Sequence, residues 1–278
     1  MAEVKVAMSQ IIVQFRAMSS NIVNGGPMLT THRKQQILAL LKQTGQVVAK
    51  EVSQTMGVSE DTIRRDLREM AQEGLLLRVH GGALPVSPAI GDFASRELLR
   101  HEGKIAIGAV AASMVQPGQV VILDGGTTAR EVARHLPLEL KATIVTHSPT
   151  IALELVGHPD LEVILIGGRL FKHSVVAVGA ATIEAISQIH ANTYFMGVTG
   201  VHPQTGLTTG DFEEAAVKRA LSHAAADTVV LASAEKLNAA SPYRVIGLEE
   251  VTGIITERGV DDSLTKPYED LGIMVRRA

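Results

Sequence analysis

The clearest chemistry in the sequence lies at residues 124–128, where an Asp-Gly-Gly-Thr-Thr loop joins the apolar run Val120–Leu123 to a helical pattern. Glycines let backbone amides approach an anion, threonine hydroxyls add donors, and the start of a helix supplies partial positive charge. The loop lacks the Gly-Lys-Ser/Thr of a Walker A motif and the third glycine of a dinucleotide fingerprint. It is therefore either a cradle for a phosphate or a plain tight turn between a strand and a helix.

Polar residues also follow other predicted strands. Residues 146–148 (Thr-His-Ser) follow one strand and residues 167–169 (Gly-Gly-Arg) follow the next. Arg169 could clamp a phosphate or a carboxylate, whereas His147 is interpreted as a histidine satisfied within its loop. Lys236 could reach the same edge of the sheet, and Lys218 lies on a helix that follows a polar loop. The predicted ligand-binding residues are Asp124, Gly125, Gly126, Thr127, Thr128, Thr146, Ser148, Gly168, Arg169, Lys218 and Lys236. We predict no catalytic residue, no metal site and no cofactor.

A second pattern lies in the first quarter of the chain. Gly57 predicts a tight turn, and Ser59 is placed to cap a helix over Glu60–Gln72. That helix has apolar residues at helical spacing on one face and arginines on the other. Two helices joined by a short glycine-containing turn form a helix-turn-helix, here about Val47 to Asp66. The second helix of such a motif fits the major groove of DNA.

The segment after this helix predicts a β-hairpin wing. Leu75–Val79 indicate a strand, and the two glycines after His80 form a loop that could approach a phosphate backbone. The alternative interpretation of the arginines is a solvated helix face paired with Asp66 and Glu69. The order of turn, cap, apolar face and wing favours double-stranded DNA as the partner. The predicted DNA-binding residues are Ser59, Asp61, Thr62, Arg64, Arg65, Arg68, Arg78, His80, Gly81 and Gly82.

From about residue 92 the sequence alternates helical and apolar segments, which predicts an α/β fold with a mainly parallel sheet and helices on both faces. Ligands in such folds collect at the carboxyl ends of the strands. The predicted strands are Val120–Leu123, Thr143–Val145, Glu162–Ile166, Thr193–Met196, Thr228–Leu231 and Gly253–Thr256. The predicted helices are Lys104–Met114, Thr128–Leu136, Thr150–Val156, Thr182–Ile189 and Phe212–Ala225.

The composition agrees with this architecture. Of the 278 residues, 46% are hydrophobic and 3% aromatic, as expected for a core of aliphatic residues between sheet and helices. The absence of cysteine excludes disulfides and thiolate chemistry, and the net charge of −3 gives no general affinity for nucleic acid. We expect neither a signal peptide nor a membrane span, and hence a cytoplasmic protein.

Domain boundaries are predicted from the shifts in pattern. Residues 28–85 form the DNA-binding domain, residues 86–103 a linker marked by proline and glycine, and residues 104–278 the ligand-binding domain. Residues 1–27 are predicted to be a disordered extension or the product of an upstream start codon. A helix over Val4–Met18 is the alternative.

Several of these motifs together resemble one known family. They are the Thr-Ile-Arg-Arg-Asp run at 62–66, the Arg-Val-His-Gly-Gly run at 78–82, Phe93 with Arg96 and Lys104, and the loops at 124–128, 146–148, 167–169 and 206–209 with Lys218. From about residue 30 to its end, the chain resembles the DeoR/GlpR family of bacterial repressors. Residues 1–27 have no counterpart in the common family pattern. The family often carries an acidic residue where this sequence has Ser233, before Lys236.

The resemblance implies a winged helix-turn-helix followed by a Rossmann-like sensor domain related to ribose-5-phosphate isomerase. It implies that the sensor binds a phosphorylated sugar or polyol as effector and that the effector releases the repressor from the operator of a carbohydrate-catabolism operon. The residues predicted to bind ligand then become the effector site. A homodimer or homotetramer is expected, because one helix-turn-helix offers DNA a small interface.

Two other functions remain open at this point. A sugar-phosphate isomerase with an appended DNA-binding module is favoured by the presence of acid/base groups, namely Asp124, Glu213, Glu214, Lys218 and Lys236. It is disfavoured by Phe195–Thr199, where related enzymes place carboxylates and this sequence has none. An architectural DNA-binding protein is disfavoured because the basic charge is local rather than general.

Overall fold

The computed structural model of the protein describes residues 30–278, which form two compact units that join between Val86 and Ser87. The predicted extension of residues 1–27 and the first two residues of the predicted domain 28–85 lie outside the described residues. Within the described residues, no helix is long and apolar enough to cross a lipid bilayer.

Three helices and a small sheet form the first unit. Gly57, with a φ of 65°, ends the second helix in a left-handed conformation that glycine adopts without strain. Ser59 begins the third helix, because its hydroxyl accepts a hydrogen bond from the backbone amide of Thr62 at 3.2 Å. The elements are α1 (Thr30–Thr44), β1 (Val47–Val48), α2 (Ala49–Met56), α3 (Glu60–Gln72), β2 (Leu77–Val79) and β3 (Gly82–Leu84).

The first unit encloses one apolar core. Ile37 and Leu41 of α1 pack with Ile63, Leu67 and Met70 of α3, and all five side chains are buried. The strands are antiparallel in the order β1-β3-β2, so β2 and β3 form the hairpin that the sequence predicts as a wing. The predicted winged helix-turn-helix is therefore confirmed as a fold.

A parallel sheet forms the centre of the second unit. The strands of this unit are β4 (Val120–Leu123), β5 (Thr143–Thr146), β6 (Glu162–Leu165), β7 (Arg169–Phe171), β8 (Val176–Val178), β9 (Ala191–Gly197), β10 (Gly200–His202), β11 (Gly206–Thr209), β12 (Ala225–Leu231), β13 (Tyr243–Arg244), β14 (Gly253–Thr256) and β15 (Met274–Arg277). Seven of them pair in parallel in the order β15-β14-β12-β9-β4-β5-β6. β7 pairs with β8, and β10, β11 and β13 form a small antiparallel sheet.

Helices cover both faces of the parallel sheet. Successive residues of β4 alternate between two apolar clusters, with Ile122 in one cluster and Val121 and Leu123 in the other. This alternation is what a strand buried on both sides requires. The predicted α/β class is thus confirmed. The helices of this unit are α4 (Phe93–Leu98), α5 (His101–Ala112), α6 (Thr127–His135), α7 (Pro149–Leu155), α8 (Ala180–Ile186), α9 (Phe212–His223) and α10 (Asp262–Glu269).

The segment 86–103, which the sequence predicts as a linker, contains regular structure from Pro88 onward. A 3-10 helix spans Pro88–Ile90, α4 follows it, and α5 begins at His101. Ser87 is fully buried, its amide donates to the carbonyl of Ala240 at 3.2 Å, and its hydroxyl donates to the carbonyl of Thr199. Residues 87–103 therefore belong to the second unit, and proline and glycine in this segment mark a turn and a helix start.

Candidate functional site

The exposed face of α3 carries its arginines into solvent. Arg64 forms an ion pair with Glu60 one turn earlier, at 2.7 Å, and its side chain is 56% exposed. Within residues 30–278, Arg65 and Arg68 are exposed and take part in no ion pair. Two carboxylates of α3 are engaged elsewhere, since Asp66 contacts Arg33 and Glu69 contacts Lys34 of α1. This face of α3 is free to meet an anionic partner.

A buried ion pair fixes α3 against α1. Nε and Nη2 of Arg33 donate to the two carboxylate oxygens of Asp66 at 2.5 and 3.0 Å, and the side chains are 6% and 1% exposed. A bidentate pair of this kind sets both the distance and the rotation of the two helices. Sequence reasoning missed this role of Asp66, although its position among Ile63, Leu67 and Met70 signals the buried face.

The wing divides the residues predicted to contact DNA. Arg78, His80 and Gly81 are exposed at the hairpin turn, where Gly81 has a φ of 79°. Gly82 is buried in β3, and a Cβ atom there would lie 1.8 Å from the carbonyl oxygen of Val47. Gly82 therefore lets β3 approach β1, and its predicted contact with DNA stays a prediction.

The loop at residues 124–128 faces a pocket at the carboxyl ends of β4 and β9. Gly126 has a φ of 108° and begins α6, so the loop turns directly into a helix N-terminus. A Cβ atom on Gly125 would lie 2.1 Å from a methyl group of Val176, so the loop passes too close to β8 for any side chain. Thr127 and Thr128 open the helix and line the pocket with the two glycines. The backbone thus has the form of an anion cradle.

Two buried lysines face this loop. Lys236 Nζ lies 3.3 Å from Thr128 Oγ1 and 3.4 Å from the carbonyl oxygen of Leu231, while Lys104 Nζ donates to the carbonyl of Arg96. Among the described residues, neither amine forms an ion pair with a carboxylate. Burial lowers the pKa of each lysine to about 8, although the nearby carboxylate of Glu235 partly opposes this effect. Two buried amines with no carboxylate in ion-pair contact favour binding of an anion.

Asp124 holds the floor of the pocket. Its carboxylate accepts from Lys218 Nζ at 2.5 Å, from His147 Nε2 at 2.9 Å, and from the amides of Gly125 and Gly197 at 2.8 Å each. Burial alone raises the pKa of Asp124, but Lys218 and His147 bring that pKa well below its usual range. The ionised carboxylate therefore ties β4, β5, β9 and α9 together beneath the loop.

Comparisons with known proteins identify the family. The family model of the DeoR-like helix-turn-helix domain matches residues 33–89, and that of the DeoR C terminal sensor domain matches residues 99–258. The transcriptional regulator GlpR of Haloferax volcanii is 35% identical, over 89% of this chain and 98% of that protein. The chain belongs to the DeoR family. Its members are DNA-binding regulators of transcription.

One further relative and one solved structure are also similar to this DeoR-family regulator. The glycerol-3-phosphate regulon repressor of Escherichia coli K12 is 35% identical, over 70% of this chain and 77% of that protein. Ribose 5-phosphate isomerase A of Methanocaldococcus jannaschii is 18% identical, over 49% of this chain and 54% of that chain, with a TM-score of 0.37. A score this low does not relate the two folds, and the α/β class follows from the parallel strands themselves.

The structure of this DeoR-family regulator brings some predicted ligand-binding residues together and separates others. Residues 125–128, Lys218 and Lys236 line the pocket, with Asp124 directly beneath them. Thr146 and Ser148 are fully buried, and their hydroxyls hydrogen-bond to protein atoms. A Cβ atom on Gly168 would lie 2.0 Å from Thr182 Oγ1, so Gly168 serves close packing.

Arg169 departs from its prediction in this DeoR-family regulator. Its side chain is 62% exposed and forms an ion pair with Glu213 rather than lining the pocket. The reason is topological, because the sequence after β6 continues into the β7–β8 hairpin instead of ending at the ligand edge. Sequence reasoning placed Arg96 and Lys104 in the family resemblance but outside the predicted site, and it gave Glu214 no ligand role. These residues line the pocket together with Thr199.

Proposed function

We propose that the protein is a repressor of a carbohydrate or polyol catabolism operon and that a phosphorylated sugar or polyol releases it from its operator. The observation that carries the effector proposal is the pair of buried amines, Lys104 and Lys236, facing a glycine-threonine helix start. A phosphate dianion would satisfy the two amines, the loop amides and the hydroxyls of Thr127 and Thr128 at once. The name of the E. coli relative, a glycerol-3-phosphate regulon repressor, supports this class of effector.

The operator contacts follow from the exposed face of the first unit. We propose that α3 enters the major groove and that Arg64, Arg65 and Arg68 contact base edges and phosphates, with Ser59, Asp61 and Thr62 at the helix start. Arg78 and His80 extend the contact along the backbone through the wing. Ser59 and Thr62 hydrogen-bond to each other through their hydroxyls at 2.8 Å, which leaves one hydroxyl proton for a phosphate.

The signal is proposed to pass through α4. Arg96 lines the pocket and lies on the helix that follows the end of the first unit at Val86 by a few residues. An anion that attracts Arg96 therefore acts on the segment that leads to the DNA-binding unit. The coupling required is modest, since a ~100-fold loss of operator affinity corresponds to ~2.7 kcal/mol. The proposal contains no catalytic step, because Asp124 is fully engaged by protein donors.

Replacement of Thr127 and Thr128 with valine tests the effector site. Valine keeps the shape of threonine and removes the two hydroxyls, each worth ~1.5–3 kcal/mol as a hydrogen bond to a charged group. We expect sugar-phosphate affinity to fall at least ~100-fold while operator binding is unchanged. Operator fragments are first selected from genomic DNA, and their release is then followed by gel shift during titration with sugar phosphates.

Thr265→Val serves as the control, because Thr265 is equally buried and lies outside the pocket lining. Release of the double variant at the same effector concentration as the parent would place the phosphate elsewhere.

We also propose that the protein acts as a homodimer or homotetramer. Light scattering on the same operator-binding samples should then give two or four times the chain mass of 29.5 kDa.

The buried lysines predict a pH dependence of effector binding. Each has a pKa of about 8 in the free protein, so the lysines lose their protons as the pH rises from ~7.5 to ~9.5. A sugar phosphate is already dianionic across this range, because its second ionisation lies near pH ~6. Affinity should therefore fall at least ~10-fold, and calorimetry should show proton uptake on binding at the higher pH. An affinity that stays constant over this range would show that the two amines do not meet the phosphate.

A further inference from the structure

A second compartment adjoins the phosphate-binding loop. Arg96, Thr199 and Glu214 line both the pocket at the loop and a neighbouring cavity that is also lined by Ser174 and Asp211. The two cavities are therefore neighbours, with these three side chains in the wall that they share. Their charged groups differ, since Lys104 and Lys236 line the loop cavity alone, whereas Asp211 and His173 line the far cavity alone and Arg96 and Glu214 line both.

Glu214 keeps hydrogen-bonding capacity for a ligand. The residue is 6% exposed, and one carboxylate oxygen accepts from Thr209 Oγ1 at 2.8 Å. The other oxygen lies 3.7 Å from Lys218 Nζ, too far for a hydrogen bond. Lys218 itself is engaged by Asp124 at 2.5 Å and by the carbonyl of Gly197 at 2.9 Å. Glu214 is thus a buried carboxylate that faces the cavity with acceptor sites to spare.

Asp211 adds a second carboxylate beside Glu214. One of its oxygens caps α9 by accepting from the amide of Glu214 at 2.9 Å, which fixes the two acidic side chains at the same helix start. Arg96 lies where the compartments meet, and its guanidinium donates to Ser174 Oγ and to the carbonyl of Asp92, both at 3.3 Å. The far compartment therefore offers two carboxylate acceptors to a ligand, together with the guanidinium of Arg96.

We propose that this site reads a single phosphate at the loop end and uncharged hydroxyl groups at the Glu214 end, so that its effector class is the monophosphates of neutral sugars and alditols. The inference rests on the proposed effector role of the pocket and specifies its ligand. Hydroxyls donate to carboxylates, so a polyol chain satisfies the acceptors of Glu214 and Asp211. A phosphorylated sugar acid or a bisphosphate brings a second anion against a buried carboxylate, where the repulsion is poorly screened.

Two matched ligand pairs test the proposal by calorimetry on the full chain. Sorbitol 6-phosphate and 6-phosphogluconate share a six-carbon chain and a phosphate but differ by a hydroxymethyl against a carboxylate. Fructose 6-phosphate and fructose 1,6-bisphosphate differ by the second phosphate. In each pair we expect the ligand with one charged group to bind at least ~10-fold more tightly than the ligand with two.

Glu214→Gln keeps the hydrogen bond to Thr209 and removes the charge. It should therefore reduce the affinity ratio within each ligand pair, mainly because the doubly charged ligands bind more tightly. Glu213→Gln is the matched control, because Glu213 is 46% exposed and pairs with Arg169 outside the cavities. Asp211→Asn provides a second variant that retains the helix cap.

The outcomes separate the inference from the proposed function. Equal or tighter binding of the doubly charged ligands, or ratios that Glu214→Gln leaves unchanged, would overturn the assignment of the hydroxyl end. Stabilisation by inorganic phosphate without binding of any of the four organic phosphates would overturn the effector class but keep the anion site. If inorganic phosphate also fails to stabilise the protein, the proposed effector pocket is itself wrong.

Discussion

Replacement of Arg64 and Arg65 with alanine is expected to weaken operator binding by at least ~30-fold without changing the fold. Both side chains are exposed on α3, and Arg65 has no ion-pair partner within residues 30–278. Each arginine that contacts a base pair bidentately is worth ~1–3 kcal/mol, so the loss of two amounts to ~2 kcal/mol or more. Gel-shift titration at fixed salt measures the change against the operator and against unrelated DNA.

The matched control removes the same charge from the second unit. Arg258 and Arg276 are exposed residues of the second unit, and the double substitution to alanine lowers the net charge equally. If this control weakens operator binding as strongly as the α3 variant, general electrostatic attraction explains the effect. A salt titration separates the cases further, because loss of phosphate contacts reduces the slope of log affinity against log salt by ~0.9 per contact.

The elements that local sequence determines were predicted well. α3 has the predicted bounds and α2 ends at the predicted turn, because Gly57 and Ser59 end one helix and begin the next through their own backbone and side-chain geometry. The strand Val120–Leu123 is also observed as predicted, since an uninterrupted apolar run between polar turns has few alternatives in an α/β fold. These signals are short in range and do not depend on the rest of the chain.

Elements that depend on tertiary contacts were not predicted. The edge strand Met274–Arg277 pairs in parallel with β14, and no local pattern identifies it. α4 has no buried residue, and it is held by Arg130, which pairs with Glu97 and lies over the ring of Phe93 at 5.3 Å. A helix held by contacts of this kind gives no hydrophobic periodicity to read.

Only part of the candidate ligand site was predicted, because some of its residues are marked by local sequence and others are brought there by tertiary contacts. Consecutive glycines and threonines allow the loop at residues 124–128 to be predicted, because an anion-binding loop requires these residue types next to one another in the sequence. Lys104 and Glu214 instead face the pocket from helices that the fold brings to it. Nothing in the residues around them distinguishes a buried, functional charge from an exposed one. Their placement therefore required the three-dimensional structure.

Removal of one partner of the Arg33–Asp66 pair is expected to unfold the first unit and abolish operator binding. Asp66 is 1% exposed, and Arg33 supplies both of its bidentate hydrogen bonds. An unpaired buried charge costs ~3–5 kcal/mol. A core as small as that of residues 30–86 rarely contributes more than ~3–5 kcal/mol in total. Hydrogen exchange should therefore show lost protection in peptides of the first unit for Arg33→Met and for Asp66→Leu, with the second unit still protected.

The double variant Arg33→Met, Asp66→Leu distinguishes the lost pair from general damage to the core. Replacing both charges with apolar side chains leaves no buried ion, so protection of the first unit should return towards that of the parent. Lys34→Met is the control for an exposed pair, because its partners Glu69 and Glu73 are 44% and 53% exposed, and such pairs contribute ~1 kcal/mol or less. A double variant as unprotected as either single variant would mean that the Arg33–Asp66 contact itself is required. Full protection in the single variants would mean that the pair does not hold α3 in place.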